Sequence, residues 1–130
     1  MQFEFDQSAP LYQQIADQLA EMIFTGIFEE GEQVPSTTQL SQELHINPAT
    51  VLKGMNQLVD LQLLEKRRGR GMFVKAGAHQ RLVAQRKEAF YQEYVASLVA
   101  EAKKLGIEEA HLLELIKRGY DHEEVNDPTR

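Results

Sequence analysis

Two helix-start signals lie close together in the middle of the chain. The stretch Ser36–Gln39 matches a capping box, in which a serine hydroxyl accepts from the amide three residues on and a glutamine reaches back. Asn47 is a strong N-cap residue, and Pro48 follows at the first helical position, where a missing N–H costs nothing. Only His45 and Ile46 separate the two predicted helices. A connection this short forces a sharp crossing, so the segment predicts a helix-turn-helix.

A basic hairpin follows the second of these helices. The run from Arg67 to Gly71 contains two glycines and lies between two short predicted strands, 63–66 and 72–75. Between Met1 and Ala76 the chain has six Lys and Arg residues, and five of them fall within 66–75. Helix, tight turn, helix and basic hairpin, in that order, are the layout of a winged helix-turn-helix, which reads double-stranded DNA.

The helices of this predicted domain supply its core. Pro10 opens a supporting helix that ends near Gly26 and carries apolar residues at three- to four-residue spacing. In the helix after Asn47 the predicted inward face is Val51, Met55, Leu58 and Val59, and the outer side carries Ala49, Thr50, Leu52, Lys53 and Asn56. We therefore predict a mainly α fold with a small β-hairpin wing for residues 1–76.

The order and spacing of these residues resemble the GntR family of bacterial transcription regulators. The matching positions are Leu11–Ile15, Gly31–Ser36, Leu40, Leu44, Thr50, Val51, Leu58 and Arg68–Val74. The segment Asn47–Val51 is most similar to the YtrA-type subfamily, whose short members have two dimerising helices in place of a large effector-binding domain. One position departs from the family pattern, because Thr38 stands where members usually carry an arginine that contacts DNA. A hydroxyl cannot form the bidentate grip of a guanidinium, so affinity or sequence preference is expected to differ.

Candidate DNA contacts lie at the first helix start, on the predicted recognition helix and in the wing. Several have a second interpretation: Asn47 fits a helix cap better than a base reader, Thr37 and Thr38 could only decorate a helix start, and a charged hairpin is often merely solvated. Gly69 also suits the positive φ of a turn. The candidates are Ser36, Thr37, Thr38, Asn47, Thr50, Lys53, Lys66, Arg67, Arg68, Gly69 and Arg70.

The composition changes after the small-residue linker Lys75–Ala78. No Gly or Pro interrupts 79–105, which predicts one long helix; Gly106 ends it, and a last helix follows from Ile107. Apolar stripes on both helices lack partner surface within one subunit, which favours a symmetric dimer over helices folded back onto the winged domain. We predict a two-helix dimerisation region over 77–120 and a disordered tail over 121–130. The candidate dimerisation residues are Phe90, Tyr94, Leu98, Leu112, Leu113 and Ile116.

Composition argues against other classes of protein. The absence of cysteine excludes disulfides and thiolate metal sites and suits the cytoplasm. The four histidines have no metal-ligand spacing, and the chain has no nucleophile elbow, phosphate loop or paired-carboxylate signal. No apolar stretch is long enough to span a bilayer. We therefore predict a cytoplasmic protein that is not an enzyme, needs no cofactor or metal and has no membrane partner.

Two functions remain open at this point. The first is a homodimeric regulator, expected to be a repressor, that binds a pseudo-palindromic operator in double-stranded DNA. A small-molecule effector would then change the angle between the winged domains through the linker Lys75–Ala78 or the dimer helices. The second is a winged-helix interaction module that has lost DNA binding, which the net charge of -6 and Thr38 favour and the basic wing opposes.

Overall fold

The computed structural model describes residues 2–126 and confirms the predicted fold class, mainly helical with one two-stranded hairpin. The chain divides into two compact units, Met1–Arg86 and Lys87–Arg130. The elements in chain order are α1 (Leu11–Phe24), α2 (Thr37–Leu44), α3 (Pro48–Asp60), β1 (Leu64–Arg67), β2 (Gly71–Val74), α4 (Ala78–Phe90), a π-helical turn (Tyr91–Val95), α5 (Ala96–Lys104) and α6 (Glu109–Asn126).

The first unit has its own apolar core, to which every element up to the start of α4 contributes. Helix α1 packs against α3 so closely that a Cβ added at Gly54 would lie 2.7 Å from the carbonyl oxygen of Tyr12. The predicted inward face of α3 is confirmed for its first three members, and Val59 is only partly buried. The fully buried larger side chains are Ile15, Leu19, Leu40, Val51, Met55, Leu58, Leu64 and Val74.

The segment before α1 is held on that helix by two glutamines. Gln14 is buried; its side chain accepts from the amide of Asp6 and donates to the carbonyl oxygens of Asp6 and Ala9. Gln18 makes the same reciprocal pair with the backbone of Glu4. Hydrogen bonds from the Ser8 hydroxyl and amide lower the pKa of the Asp6 carboxyl. The residues ahead of Pro10 therefore belong to the folded unit.

Both predicted helix starts are present. The Ser36 hydroxyl accepts from the Gln39 amide at 3.0 Å, and the Gln39 side chain accepts from the Ser36 amide at 2.8 Å, which completes the capping box. The side-chain oxygen of Asn47 accepts from the Ala49 amide at 2.8 Å. Between the helices, His45 takes a left-handed conformation with φ of 56°. That one residue makes the sharp turn that the short connection predicted.

The wing is an antiparallel hairpin that gains support from the segment before α2. Leu64 pairs with Val74 and Arg67 with Gly71. Strand β1 begins about one residue later than predicted, and β2 begins about one residue earlier. The amide of Val34 donates to the Met72 carbonyl at 2.9 Å, and the amide of Val74 donates to the Glu32 carbonyl at 2.9 Å. The chain around Gln33 thus lies beside β2 like a short third strand.

The linker Lys75–Ala78 is held on the winged unit by hydrogen bonds and burial. The Gly77 amide donates to a Glu30 carboxylate oxygen at 2.8 Å. The Arg81 guanidinium donates to the Gln62 and Ala76 carbonyl oxygens, each at 2.9 Å. Ala78 is fully buried and Leu82 nearly so. The first compact unit consequently ends ten residues beyond the predicted boundary at Ala76, at Arg86.

The second unit contains the last residues of α4, the π-helical turn, α5 and α6. The predicted single helix over 79–105 changes to π-helical hydrogen bonding at Tyr91–Val95, which alters the faces that side chains share before and after the turn. Gly106 ends α5 with φ of 72°, as predicted. Helix α6 continues to Asn126, six residues into the predicted tail 121–130, and 127–130 lie outside the described residues. No helix among residues 2–126 is long and apolar enough to cross a membrane.

Candidate nucleic-acid interface

The three residues predicted to contact DNA at the start of α2 differ in the exposure and the hydrogen bonding of their hydroxyl groups. Ser36 is engaged in the capping box, and the Thr37 hydroxyl lies 3.5 Å from the sulfur of Met55 in a part-buried position. Thr38 is exposed in the first turn of α2. Thr38 therefore presents the most accessible hydroxyl at this helix N-terminus, where an oxygen of a phosphate would also meet backbone amides.

The outer face of α3 is exposed and mostly uncharged. Pro48 and Ala49 are exposed, Leu52 keeps 40% of its surface accessible, and Thr50 is half-buried. Asn47 caps the helix as the favoured interpretation predicted. The first two turns consequently present aliphatic carbon where a DNA-reading helix commonly carries hydrogen-bonding groups.

Lys53 is the one lysine or arginine on α3, and its ammonium group rests on an aromatic ring. Its Nζ lies 4.0 Å from the centroid of the Tyr12 ring, in the range of a cation–π interaction. Tyr12 belongs to α1, so the contact joins the supporting helix to the recognition helix. Sequence reasoning missed Tyr12, because the contact depends on how α1 and α3 cross.

The four basic residues of the wing divide into one that is engaged and three that are exposed. Arg67 forms an ion pair with Glu65 at 2.9 Å, and its guanidinium lies 4.1 Å from the centroid of the Phe73 ring. Lys66, Arg68 and Arg70 are exposed. Gly69, at the tip, has φ of 73°, as the turn interpretation predicted. The wing therefore presents charge mainly through its exposed residues, while Arg67 covers Phe73.

Gln33 supports the wing tip and was missed by sequence reasoning. Its side-chain amide donates to the Arg70 carbonyl oxygen at 2.8 Å. A Cβ added at Gly71, whose φ is 115°, would lie 2.7 Å from the same amide nitrogen. The backbone conformation of Gly71 favours glycine, and a Cβ there would also push the Gln33 amide away from the Arg70 carbonyl oxygen.

The candidate dimerisation residues lie in the second unit and are largely accessible. Phe90, Tyr94 and Leu113 are each more than half exposed, and the Phe90 and Tyr94 rings lie 5.5 Å apart. Leu112 is half-buried instead, because it faces an apolar groove between α5 and α6. The other residues lining that groove include Leu98, Ala102, Leu105, Ile107, Leu115 and Ile116.

Among the side chains of residues 2–122, no group of three or more His, Asp or Glu is placed so that it could hold a metal ion. The features that remain are an exposed uncharged helix face, a supported basic hairpin and an exposed apolar surface in the second unit.

The sequence is similar to those of known proteins. The sequence profile of the bacterial regulatory proteins of the gntR family matches residues 11–74, from α1 to the end of the wing. The HTH-type transcriptional repressor YtrA of Bacillus subtilis is 34% identical over 110 residues, which cover 85% of this chain and 84% of YtrA.

Solved structures extend the similarity to the fold. A GntR-family regulator from Bacteroides thetaiotaomicron is 29% identical with a TM-score of 0.69, and the match covers 87% of this chain and 98% of that one. BusR of S. agalactiae, solved in complex with its busAB-promotor DNA, is 25% identical with a TM-score of 0.54, covering 88% of this chain and 55% of BusR. The chain therefore belongs to the GntR family of DNA-binding transcription regulators, a family of regulators and not of enzymes.

Proposed function

We propose that this protein is a homodimeric repressor that binds a pseudo-palindromic operator. The single observation that carries the proposal is the supported wing: Arg68 and Arg70 are exposed on a hairpin whose tip is held by Gln33, in the same compact unit as the helix-turn-helix. A tip held in place before binding loses less conformational entropy when its side chains contact phosphate. Helix α3 would enter the major groove, and the wing would contact the minor groove or the phosphates beside it.

The net charge of -6 does not oppose this arrangement, because the charges are unevenly placed. Phosphate contacts depend on the local density of Lys and Arg, and the wing gathers Lys66, Arg68 and Arg70 within a few residues. At the start of α2, Thr38 adds a hydroxyl group to these possible phosphate contacts but no positive charge. We therefore expect modest affinity for a single winged unit and a need for two units on one operator.

The second unit supports dimerisation by its exposed apolar surface. Phe90, Tyr94 and Leu113 expose more than half of their surface, and Leu98 and Ile116 more than a third. Burying side chains of this size against a partner lowers the free energy of the complex, because apolar surface is removed from water. A second copy supplies the matching surface, and two-fold symmetry would present two winged units to a palindrome.

Repression is the proposed outcome because bound protein would occupy promoter DNA without any chemistry, and the YtrA relative is named a repressor. A small-molecule effector and a cytoplasmic location stay predictions. The alternative function is a protein-interaction module without DNA binding, which the acidic charge and Thr38 favour.

Binding of a labelled random duplex at two salt concentrations separates the two functions. A DNA-binding protein shows affinity that falls with salt, with a slope of about 0.9 per phosphate contact, whereas an interaction module shows no such slope. The double variant Arg68→Ala/Arg70→Ala should bind all sequences more weakly, with a slope reduced by about 1 for each lost contact. The control Lys103→Ala/Lys104→Ala removes the same charge from exposed positions of α5 and should keep the slope. A wild-type slope of zero would reject the proposal.

A further inference from the structure

The exposed face at the start of α3 consists of apolar side chains. Pro48 and Ala49 are exposed in the first turn, and Leu52 follows one turn later with 40% of its surface accessible. Two nearby polar groups have partners within the protein: the Asn47 side-chain oxygen accepts from the Ala49 amide, and the Lys53 ammonium lies over the Tyr12 ring. The surface formed by Pro48, Ala49 and Leu52 itself carries no side-chain donor or acceptor.

A single exposed leucine is ordinary on a protein surface, so exposure alone carries no argument. What distinguishes Leu52 is its position on the second helix of a helix-turn-helix, in the family to which this chain belongs. The N-terminal residues of that helix are the ones that reach base edges in such motifs. Leu52 also lines, with Ala49 and Asn56, an open depression that extends to Tyr12.

The chemistry of the base edges then narrows what this face can read. Guanine presents acceptors that call for an arginine or lysine, and adenine and cytosine also present hydrogen-bonding groups, whereas the 5-methyl group of thymine is the apolar feature of the major groove. We infer that Leu52, with Ala49 beside it, contacts thymine methyl groups, so that each operator half-site carries thymine beneath this turn of α3. The inference rests on the proposed DNA-binding function.

The test begins with the duplex that the full-length protein enriches from a random pool. Each thymine of that duplex is replaced in turn by deoxyuridine, which removes only the 5-methyl group and keeps the base pair. Wild-type protein should lose about fourfold in affinity at one or two positions of each half-site, the effect of removing one buried methyl group. Thymines elsewhere in the duplex should tolerate the replacement.

The variant Leu52→Ala assigns the effect to its residue. It should bind the enriched duplex several-fold more weakly, keep the wild-type salt slope, and no longer distinguish thymine from deoxyuridine at the sensitive positions. Leu61→Ala is the matched control, because Leu61 is 46% exposed but lies at the C-terminal end of α3. Thermal unfolding of both variants checks that they fold.

The outcomes separate this inference from the function on which it rests. Equal affinity for every deoxyuridine duplex, with specific binding of the enriched duplex intact, would overturn thymine reading and leave the regulator standing. If Leu52→Ala lost as much affinity as wild type when thymine is replaced by deoxyuridine, Leu52 would not be the residue that contacts the methyl group. Failure of the protein to prefer any duplex over a scrambled one would instead reject the proposed function itself.

Discussion

The side-chain amide of Gln33 donates a 2.8 Å hydrogen bond to the carbonyl oxygen of Arg70, across 37 positions of sequence. This bond joins the approach to α2 with the tip of the wing. The backbone next to it is also constrained, since Gly71 has a positive φ, and a Cβ at Gly71 would displace the Gln33 amide. The position of the Arg70 backbone is therefore set partly by a residue outside the hairpin.

Replacing Gln33 by Ala should weaken DNA binding without removing any charge. One hydrogen bond contributes about 0.5 to 1.5 kcal/mol, so a less fixed tip should cost roughly twofold to tenfold in affinity. Fluorescence anisotropy with a labelled duplex measures the effect, and Gln80→Ala, on an exposed position of α4, serves as the control. Affinity equal to that of wild type would show that the tip finds its place on DNA without Gln33.

Replacing Gly54 by Ala should destabilise the winged unit. The new methyl group would lie 2.7 Å from the Tyr12 carbonyl oxygen, a backbone atom, so α1 and α3 would have to separate. Overpacking of this kind typically costs about 1 to 3 kcal/mol in the free energy of unfolding.

Gly119→Ala is the matched control, because Gly119 also lies within a helix and an added Cβ there meets nothing within 4 Å. Alanine is favoured over glycine in a helix by about 1 kcal/mol, so this variant should be at least as stable as wild type. Chemical denaturation of both variants compares the two positions. Equal stability of Gly54→Ala and wild type would contradict the described contact of α1 with α3.

Placing arginine at Thr38 should strengthen DNA binding. Thr38 is exposed in the first turn of α2, and a guanidinium there can form the bidentate contact that a hydroxyl cannot. We expect about a fivefold or larger gain in affinity, and a salt slope steeper by about 0.9 if the partner is a phosphate. Gln80→Arg adds the same charge on α4 and should give a smaller gain. A Thr38→Arg variant that binds no better than this control would place the start of α2 away from DNA.

Replacing Leu113 by Glu should dissociate the proposed dimer. Leu113 is 58% exposed on α6, and burying a carboxylate in place of an aliphatic side chain reverses the gain from burial. Sedimentation equilibrium should show at least tenfold weaker self-association, and operator binding should weaken in parallel. Arg118→Glu changes an exposed charge on the opposite side of the same helix from Leu113 and should leave the dimer in place. A wild-type protein that sediments as a monomer would refute the dimer directly.

The parts of the fold that could be predicted depend on interactions between near neighbours in sequence. The capping box at Ser36 and the cap at Asn47 each involve residues within three positions of one another, so the residue types alone indicate them. The GntR resemblance rested on the same segments and is confirmed by the family profile and by YtrA.

Contacts between distant parts of the chain could not be predicted in this way. The role of Gly54 depends on how closely α1 approaches α3, and the position of Lys53 depends on Tyr12 from that same helix. The small residues of the linker gave no indication that Glu30 and Arg81 hold its backbone. The assignment of individual DNA contacts and of the dimer stays a prediction.

The fixed linker has a consequence for any signal that reaches this protein. The Gly77 amide donates to Glu30, and the Arg81 guanidinium donates to the carbonyl oxygens of Ala76 and Gln62. These bonds tie the backbone between β2 and α4 to the winged unit, and the methyl group of Ala78 is fully buried. The first two turns of α4 are therefore part of the winged unit, and a force that changed their direction would rotate that unit as a whole instead of bending the linker.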